Sequence, residues 1–284
     1  MLVSAIINGL IIGSSYVLVA SGLTLIFGIL DVVNLAHGEI YMLGAFVAFT
    51  VATLMGINFW IALLIAMIVV GCIGILLEKL FFKQLREKPH IYMMIVSMAL
   101  STLLSNLAML IWGSEPRMLV TPMANTTIRF LGTAVTLQRL IVIVVGAVLI
   151  VLLNLFIEKT TTGKTLRATA QDRDASALMG ININKVFSIT FALGCALAAA
   201  AGTLIAPVFQ VFPTMGLNLF SKSFTVVIMG GLGNILGAVF AGLLLGIVES
   251  LGAVFISTAY KDAFSFIILI LFLLFRPNGI MGRG

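Results

Sequence analysis

The sequence predicts an all-α polytopic membrane bundle of eight or nine crossings, on three observations. Of 284 residues, 61% are hydrophobic and 9% charged, too little polar surface to coat a water-soluble globule. The apolar residues fall in runs of about the 20 residues that a helix needs to span hydrocarbon. Short turns separate the runs, so residues 1–284 read as one transmembrane permease-like domain without a separate soluble unit.

The runs cover residues 3–29, 38–55, 59–82, 91–112, 139–157, 186–206, 235–256 and 263–275. The first begins MLVSAIINGLIIG and meets no Lys or Arg before Lys79. It lacks the basic start of a cleavable signal and reads as a retained membrane helix. A ninth run, Phe220 to Met229, is short and enters the Gly-rich turn Gly230–Asn234; it crosses obliquely or re-enters, and decides whether the chain ends share a side. Cys72 and Cys195 lie inside apolar runs and suggest neither a disulfide framework nor a metal site.

Basic residues set the orientation, because short positively charged loops stay in the cytoplasm. One set holds Lys79, Lys83, Arg86, Lys88, the five of loop 158–185, Arg276 and Arg283; the other holds Arg117, Arg129, Arg139, Lys222 and Lys261. Eleven against five makes the first set cytoplasmic. With nine crossings the N-terminus is outside and the C-terminus cytoplasmic, and Trp60 and Trp112 fall together at the outer interface, where indoles anchor.

Many of the 27 glycines lie inside apolar runs, where small residues let helices approach closely. Gly233, Gly237 and Ala241 give the 235–256 helix one smooth face; Ala238, Gly242, Gly246 and Ser250 give it another, as Gly9 and Gly13 do in the first helix. Two such faces place the 235–256 helix at the centre of the bundle, with intramolecular packing preferred over dimerisation.

The turn between the first two runs groups Asp31, Asn34, His37 and Glu39. Ionisable groups at membrane depth face a protein interior or a watery cavity, so the turn lines a translocation pathway. Alternatively it lies at the cytoplasmic headgroups, with Asp31 or Asn34 capping the second helix. His37 and Glu39 alone are too few for a metal. Ser97, Ser101 and Ser105 share one face of the 91–112 helix, with Thr102 and Asn106 beside them; this stripe is a pathway surface or interhelical hydrogen-bonding glue. Met93, Met94 and Met98 read as packing filler, and His90 beside Pro89 as a helix boundary.

Loop 158–185 is the one long polar segment. Gly163-Lys164-Thr165 has the end of a phosphate-binding loop, but Glu158 stands where its first glycine belongs. Nucleotide binding by this chain is therefore rejected. The loop reads as two short helices lying flat off the membrane: Lys164 to Thr169, and one capped by Asp172, with Asp174 in its first turn and Gly180 at its end.

Asp174-Ala175-Ser176, three residues, then Gly180 resembles the E-A-A-x-x-x-G coupling loop of permease subunits in ATP-binding-cassette importers, with Asp for Glu and Ser for the second Ala. Gly163 with Leu166-Arg167-Ala168, Gly230-Gly231-Leu232-Gly233-Asn234, Arg276-Pro277-Asn278-Gly279-Ile280 and the early Asn34-Leu35-Ala36-His37-Gly38 are similar to the branched-chain amino-acid permease family, in its shorter subunit form. The resemblance implies a bacterial or archaeal inner-membrane subunit without catalytic residues or a cofactor of its own. It also implies a second permease (identical or not), two ATPases that bind ATP and Mg, an extracytoplasmic binding protein and an amino-acid substrate, with no nucleic acid. On it, Gly163, Leu166, Arg167, Ala168, Asp172, Asp174, Ala175 and Gly180 face the ATPase, and Asn34, His37, Glu39, Ser97, Ser101 and Asn106 are pathway candidates.

A urea or short-amide importer of the same type is the first alternative. A stand-alone secondary transporter or channel is the second; it needs a buried charge with a partner. Glu249 is its best candidate, but no counter-charge is evident in the sequence, and snorkelling to an interface is the expected fate. An intramembrane enzyme has only His37 and His90 to draw on.

Overall fold

The computed structural model describes residues 2–130, 133–276 and 278–281; Pro277 and Arg283 of the sequence argument lie outside them. Helix α1, Leu2–Leu30, closes at Asp31, whose left-handed backbone (φ 54°) ends the helix. Asn34 Oδ1 accepts the Ala36 N–H at 3.1 Å, and α2, His37–Phe49, starts there and continues through a π-helical turn to Leu54. Asn58 caps α3, Phe59–Leu77, by accepting the Trp60 N–H. Pro89 precedes α4, His90–Trp112, which stops at Gly113 (φ 83°).

A single turn, α5 (Pro122–Asn125), and a small hairpin follow. Its strands β1 (Thr127–Phe130) and β2 (Thr133–Thr136) pair antiparallel, Thr127 opposite Thr136. The remaining helices are α6 (Leu137–Lys159), α7 (Thr161–Gln171), α8 (Arg173–Leu178), α9 (Ile183–Ile205), α10 (Met215–Gly230), α11 (Ile235–Phe255) and α12 (Lys261–Phe275). Among the described residues eight helical segments are long and apolar enough to span a membrane, α12 with the preceding turn Thr258–Tyr260 included, and α10 is a shorter apolar helix. The all-α bundle expected from the apolar runs is the fold; the hairpin was not foreseen.

Close contacts fix the helix directions. Ser250 Oγ donates to the Ala5 carbonyl at 2.7 Å, Gly13 lies against Gly242, and Gly28 against Gly233, so α1 and α11 run antiparallel. Gly230 packs on Gly237 and Lys222 reaches Ser265, which sets α10 antiparallel to α11 and alongside α12. The Ile280 and Met281 N–H groups bond to the carbonyls of Met229 and Gly230. Ala5 and Gly279 therefore mark opposite ends of the bundle, and α10 takes the direction of a ninth pass.

The centre of the bundle is α1, not α11. In its most apolar window α1 is 83% buried and α11 39%. Both smooth faces of α11 are used, Gly237 against α10 and Gly242 and Gly246 against α1, but its third side shows Phe240 and Leu244 to the surroundings. Small residues identify faces that pack closely; they do not say how many sides of a helix are covered.

Candidate functional sites: a mid-membrane polar core and a coupling loop

The part of the turn after α1 that leads into α2 lies along the middle of α4. The Leu35 N–H bonds to Ser97 Oγ at 3.2 Å, and Ser101 and Ser105 donate to Glu39 Oε1 at 2.8 and 3.1 Å. These serines occupy the middle of the 23-residue α4, a helix about 34 Å long, so Glu39 is near mid-depth. Trp112 at the end of α4 stacks on Phe46 and donates to Thr50 Oγ1 at 2.8 Å, which holds α2 and α4 parallel. Glu39 thus sits beside the middle of α4 and not its end, while Asn34 caps the turn as the headgroup-level alternative expected.

Glu39 is 2% exposed. Its Oε2 has no hydrogen-bond partner among the described residues and lies against Gly216, in the first turn of α10, where a Cβ would have no room. His37 is fully buried, its Nε2 close to Gly22 of α1, and neither ring nitrogen has a hydrogen-bond partner among the described residues. Asn34 is buried and serves as the turn's cap. Of the pathway candidates, the structure brings Glu39, Ser97 and Ser101 together along the α2–α4 seam, with Ser105 as a further member. Asn106 points elsewhere: it is exposed, and its amide donates to the Thr102 carbonyl at 2.7 Å.

A second polar cluster corrects the expectation for Glu249. Its side chain is fully buried and does not snorkel: Tyr16 donates to Oε2 at 2.7 Å, Lys222 Nζ lies 2.8 Å from Oε1, and Ser265 donates to the same oxygen. Lys222 also reaches Asp262 at 2.9 Å and Ser265 at 2.8 Å. Lys222 was counted with the outer loops; it is buried inside α10 and carries little weight in an orientation argument. The network joins α1, α10, α11 and α12.

At the opposite end of the bundle from Ala5, loop 158–185 folds as the two expected short helices. Thr160 caps α7, accepting the Gly163 N–H at 2.9 Å, and Asp172 caps α8, accepting the Ala175 N–H at 2.8 Å. Gly163 packs so closely on the carbonyls of Phe156 and Ile157 that no Cβ fits, and Leu166 is buried. Helix α7 thus packs onto the bundle instead of lying free of it. Gly163-Lys164-Thr165 is part of this helix and forms no phosphate loop. Arg167, Asp172, Asp174, Ala175 and Gly180 are exposed, Ala168 is half-buried, and Gly180 turns the chain with φ 82°.

Two residues absent from the sequence expectation stand out on α8 and just after it: Leu178 and Met179 are 89% and 83% exposed. Helix α8 is tied to the bundle by cations on one ring, with Arg173 and Arg86 lying 5.1 and 3.9 Å from the Phe187 centroid. Arg86 bonds to Asn184 at 2.7 Å and pairs with Glu78, to which Ser188 also donates. Burial pulls the Arg86 pKa down and Glu78 opposes that pull. A displacement of α8 therefore bears on α9 and on the end of α3. A cleft of about 760 Å³ beneath α7, lined by Asp31, Arg167 and Asn234 among others, lies at this end and far from Glu39. Among the described residues, no three His, Cys, Asp or Glu side chains group as a metal site.

Comparison with known proteins follows the same lines. Residues 5–273 match the family model of the branched-chain amino acid transport system permease component. The chain is 35% identical to the high-affinity branched-chain amino acid transport system permease protein BraD of Pseudomonas aeruginosa, covering 98% of this chain and 95% of BraD. It is 35% identical to LivH of Escherichia coli K12, the match covering 97% and 94% of the two chains, and 32% identical to a probable LivH of Methanocaldococcus jannaschii, covering 98% and 92%. No solved structure matches the chain. A nearly full-length family match and relatives of this similarity make the chain a multi-pass transport subunit, not an enzyme, and a member of the branched-chain amino acid transport permease family.

Proposed function

We propose that this chain forms one half of the translocation pathway of an ATP-driven importer for branched-chain amino acids in a bacterial or archaeal inner membrane, its N-terminus outside and its C-terminus cytoplasmic. It works with a second permease, two ATPases that hold ATP and Mg, and an extracytoplasmic binding protein. The observation that carries the reading is the coupling loop. A six-residue helix, capped by Asp172 and ended at Gly180, presents Leu178 and Met179 at the most basic end of the bundle. A short rigid helix transmits a partner's closure as a rigid-body push, and the Arg173–Phe187–Arg86 contact passes it into α9 and α3. Substrate identity rests on the relatives, whose names state branched-chain amino acids.

Gentle-detergent purification followed by mass spectrometry, then reconstitution with ATP, tests this. The expected result is co-purification with two ATPases and a second permease, and ATP-dependent leucine uptake that unlabelled leucine suppresses. Suppression by urea alone assigns the same machinery to a urea or short-amide cargo. The buried Lys222–Glu249 pair supplies the partnered charge that a gradient-driven carrier requires. A lone chain that moves solute in liposomes without ATP replaces the importer reading with that one.

A further inference from the structure

Helix α10 begins inside the membrane at the level of Glu39. Thr214 offers its first turn no side-chain cap, and the N–H groups of Gly216 and Leu217 have no acceptor among the described residues. A helix start of this kind carries partial positive charge and unfilled donors, which suit an anion. Against the same turn lies the unpartnered Oε2 of Glu39, 2% exposed, its other oxygen held by Ser101 and Ser105. A buried carboxylate oxygen without a donor is costly and calls for an occupant. Leu217 is 62% exposed and Asn218 is also exposed, so the turn borders the outer face of the subunit.

An α-amino acid zwitterion carries the two complementary charges on adjacent atoms. We propose that Glu39 and the first turn of α10 form a station for such a zwitterion halfway across the membrane. The Glu39 carboxylate takes its ammonium and the Gly216 and Leu217 N–H groups take its carboxylate. The inference rests on the import reading above and assigns the groups that handle the cargo's common backbone, leaving its side chain to apolar walls. In the present conformation Gly216 closes on Glu39, and parting α10 from α2 opens the station. Gly216 is required because any Cβ would occupy the position of the Glu39 oxygen.

The test uses the complete importer in proteoliposomes with saturating binding protein, and reads leucine taken up per ATP hydrolysed. Glu39→Gln keeps an acceptor for the two serines but loses the charge. It is expected to lower this ratio about 10- to 100-fold, the cost of leaving an ammonium without its charged acceptor. Because the readout is uptake per ATP, a change in hydrolysis rate alone does not move it, and Glu39→Asp, which keeps the charge, restores part of the ratio. Leu217→Pro deletes one donor at a helix position that tolerates proline and gives an independent loss of the same ratio. Unchanged uptake per ATP in Glu39→Gln, or in Leu217→Pro, overturns the station and leaves the import reading standing. A wild-type complex that hydrolyses ATP and moves no leucine overturns the import reading instead.

Discussion

At the scale of single residues, the cost of charge in hydrocarbon explains the Lys222–Glu249 cluster. Each ion loses several kcal/mol of hydration on burial, and here the loss is offset by Tyr16, Ser265 and Asp262 as well as by the partner. Removing Lys222 leaves the fully buried Glu249 with only the partly exposed Lys261, 3.9 Å away, as a counter-charge. Lys222→Met is expected to destabilise the chain by about 3–5 kcal/mol, whereas Lys222→Met with Glu249→Leu recovers most of the loss, because a packed apolar pair of similar volume is often neutral. Thermal unfolding in detergent reads both; equal midpoints for the single and double variants would remove the coupling. The sequence revealed that Asp31, Asn34, His37 and Glu39 were unusual, since charges in apolar surroundings are visible as composition. Their depth was not legible, because a 29-residue α1 is longer than a span and permits several placements. The Glu249 pairing was hidden for another reason: helical periodicity states which residues share a face, not which faces meet.

At the scale of elements, local chemistry was the best guide. Asp172 and Gly180 marked the bounds of α8 because a cap and a left-handed glycine act within a few residues, and the structure has both. The exposure of Leu178 and Met179 needed three dimensions, since two apolar residues in a polar loop are as easily core as surface. Neither packs on the chain, so the double substitution Leu178→Ser and Met179→Ser is expected to leave folding and membrane insertion intact. Loss of a central apolar anchor at an interface costs about 2 kcal/mol or more, so ATP-driven uptake should fall at least about tenfold and ATPase co-purification should weaken. Full uptake in this variant would remove α8 from the ATPase contact. Gly180→Val forces a branched residue to φ 82°, at roughly 1–2 kcal/mol, and re-aims the chain entering α9. It should uncouple ATP hydrolysis from uptake while the inserted protein persists in the membrane.

At the scale of the whole molecule, the arrangement of helices decides which surfaces face which compartment. The run of 220–229 was too short to settle parity from length, and α10, 16 residues long, falls short of the eight helices long enough to span. The contacts of α10 with α11 and α12 supply the missing direction, and with it Ala5 and Gly279 come to opposite ends. Lys79, Lys83, Arg86, Lys164, Arg167 and Arg173 gather at the end that holds α7 and α8, while Arg117 and the β-hairpin occupy the other, consistent with the charge rule even after Lys222 is withdrawn from it. The proposed import function adds a demand: loop 158–185 has to meet the partner ATPases, and the far end has to meet a binding protein. Single cysteines at Asn125 and Lys164, in a chain with Cys72 and Cys195 replaced by serine and alanine, make both demands measurable. In intact cells a membrane-impermeant maleimide is expected to label position 125 and spare position 164, with position 164 labelled only in inside-out vesicles. Labelling of position 125 from the cytoplasmic face alone would invert the bundle, placing the Leu178–Met179 surface where no ATP is available and leaving the coupling assignment without a partner.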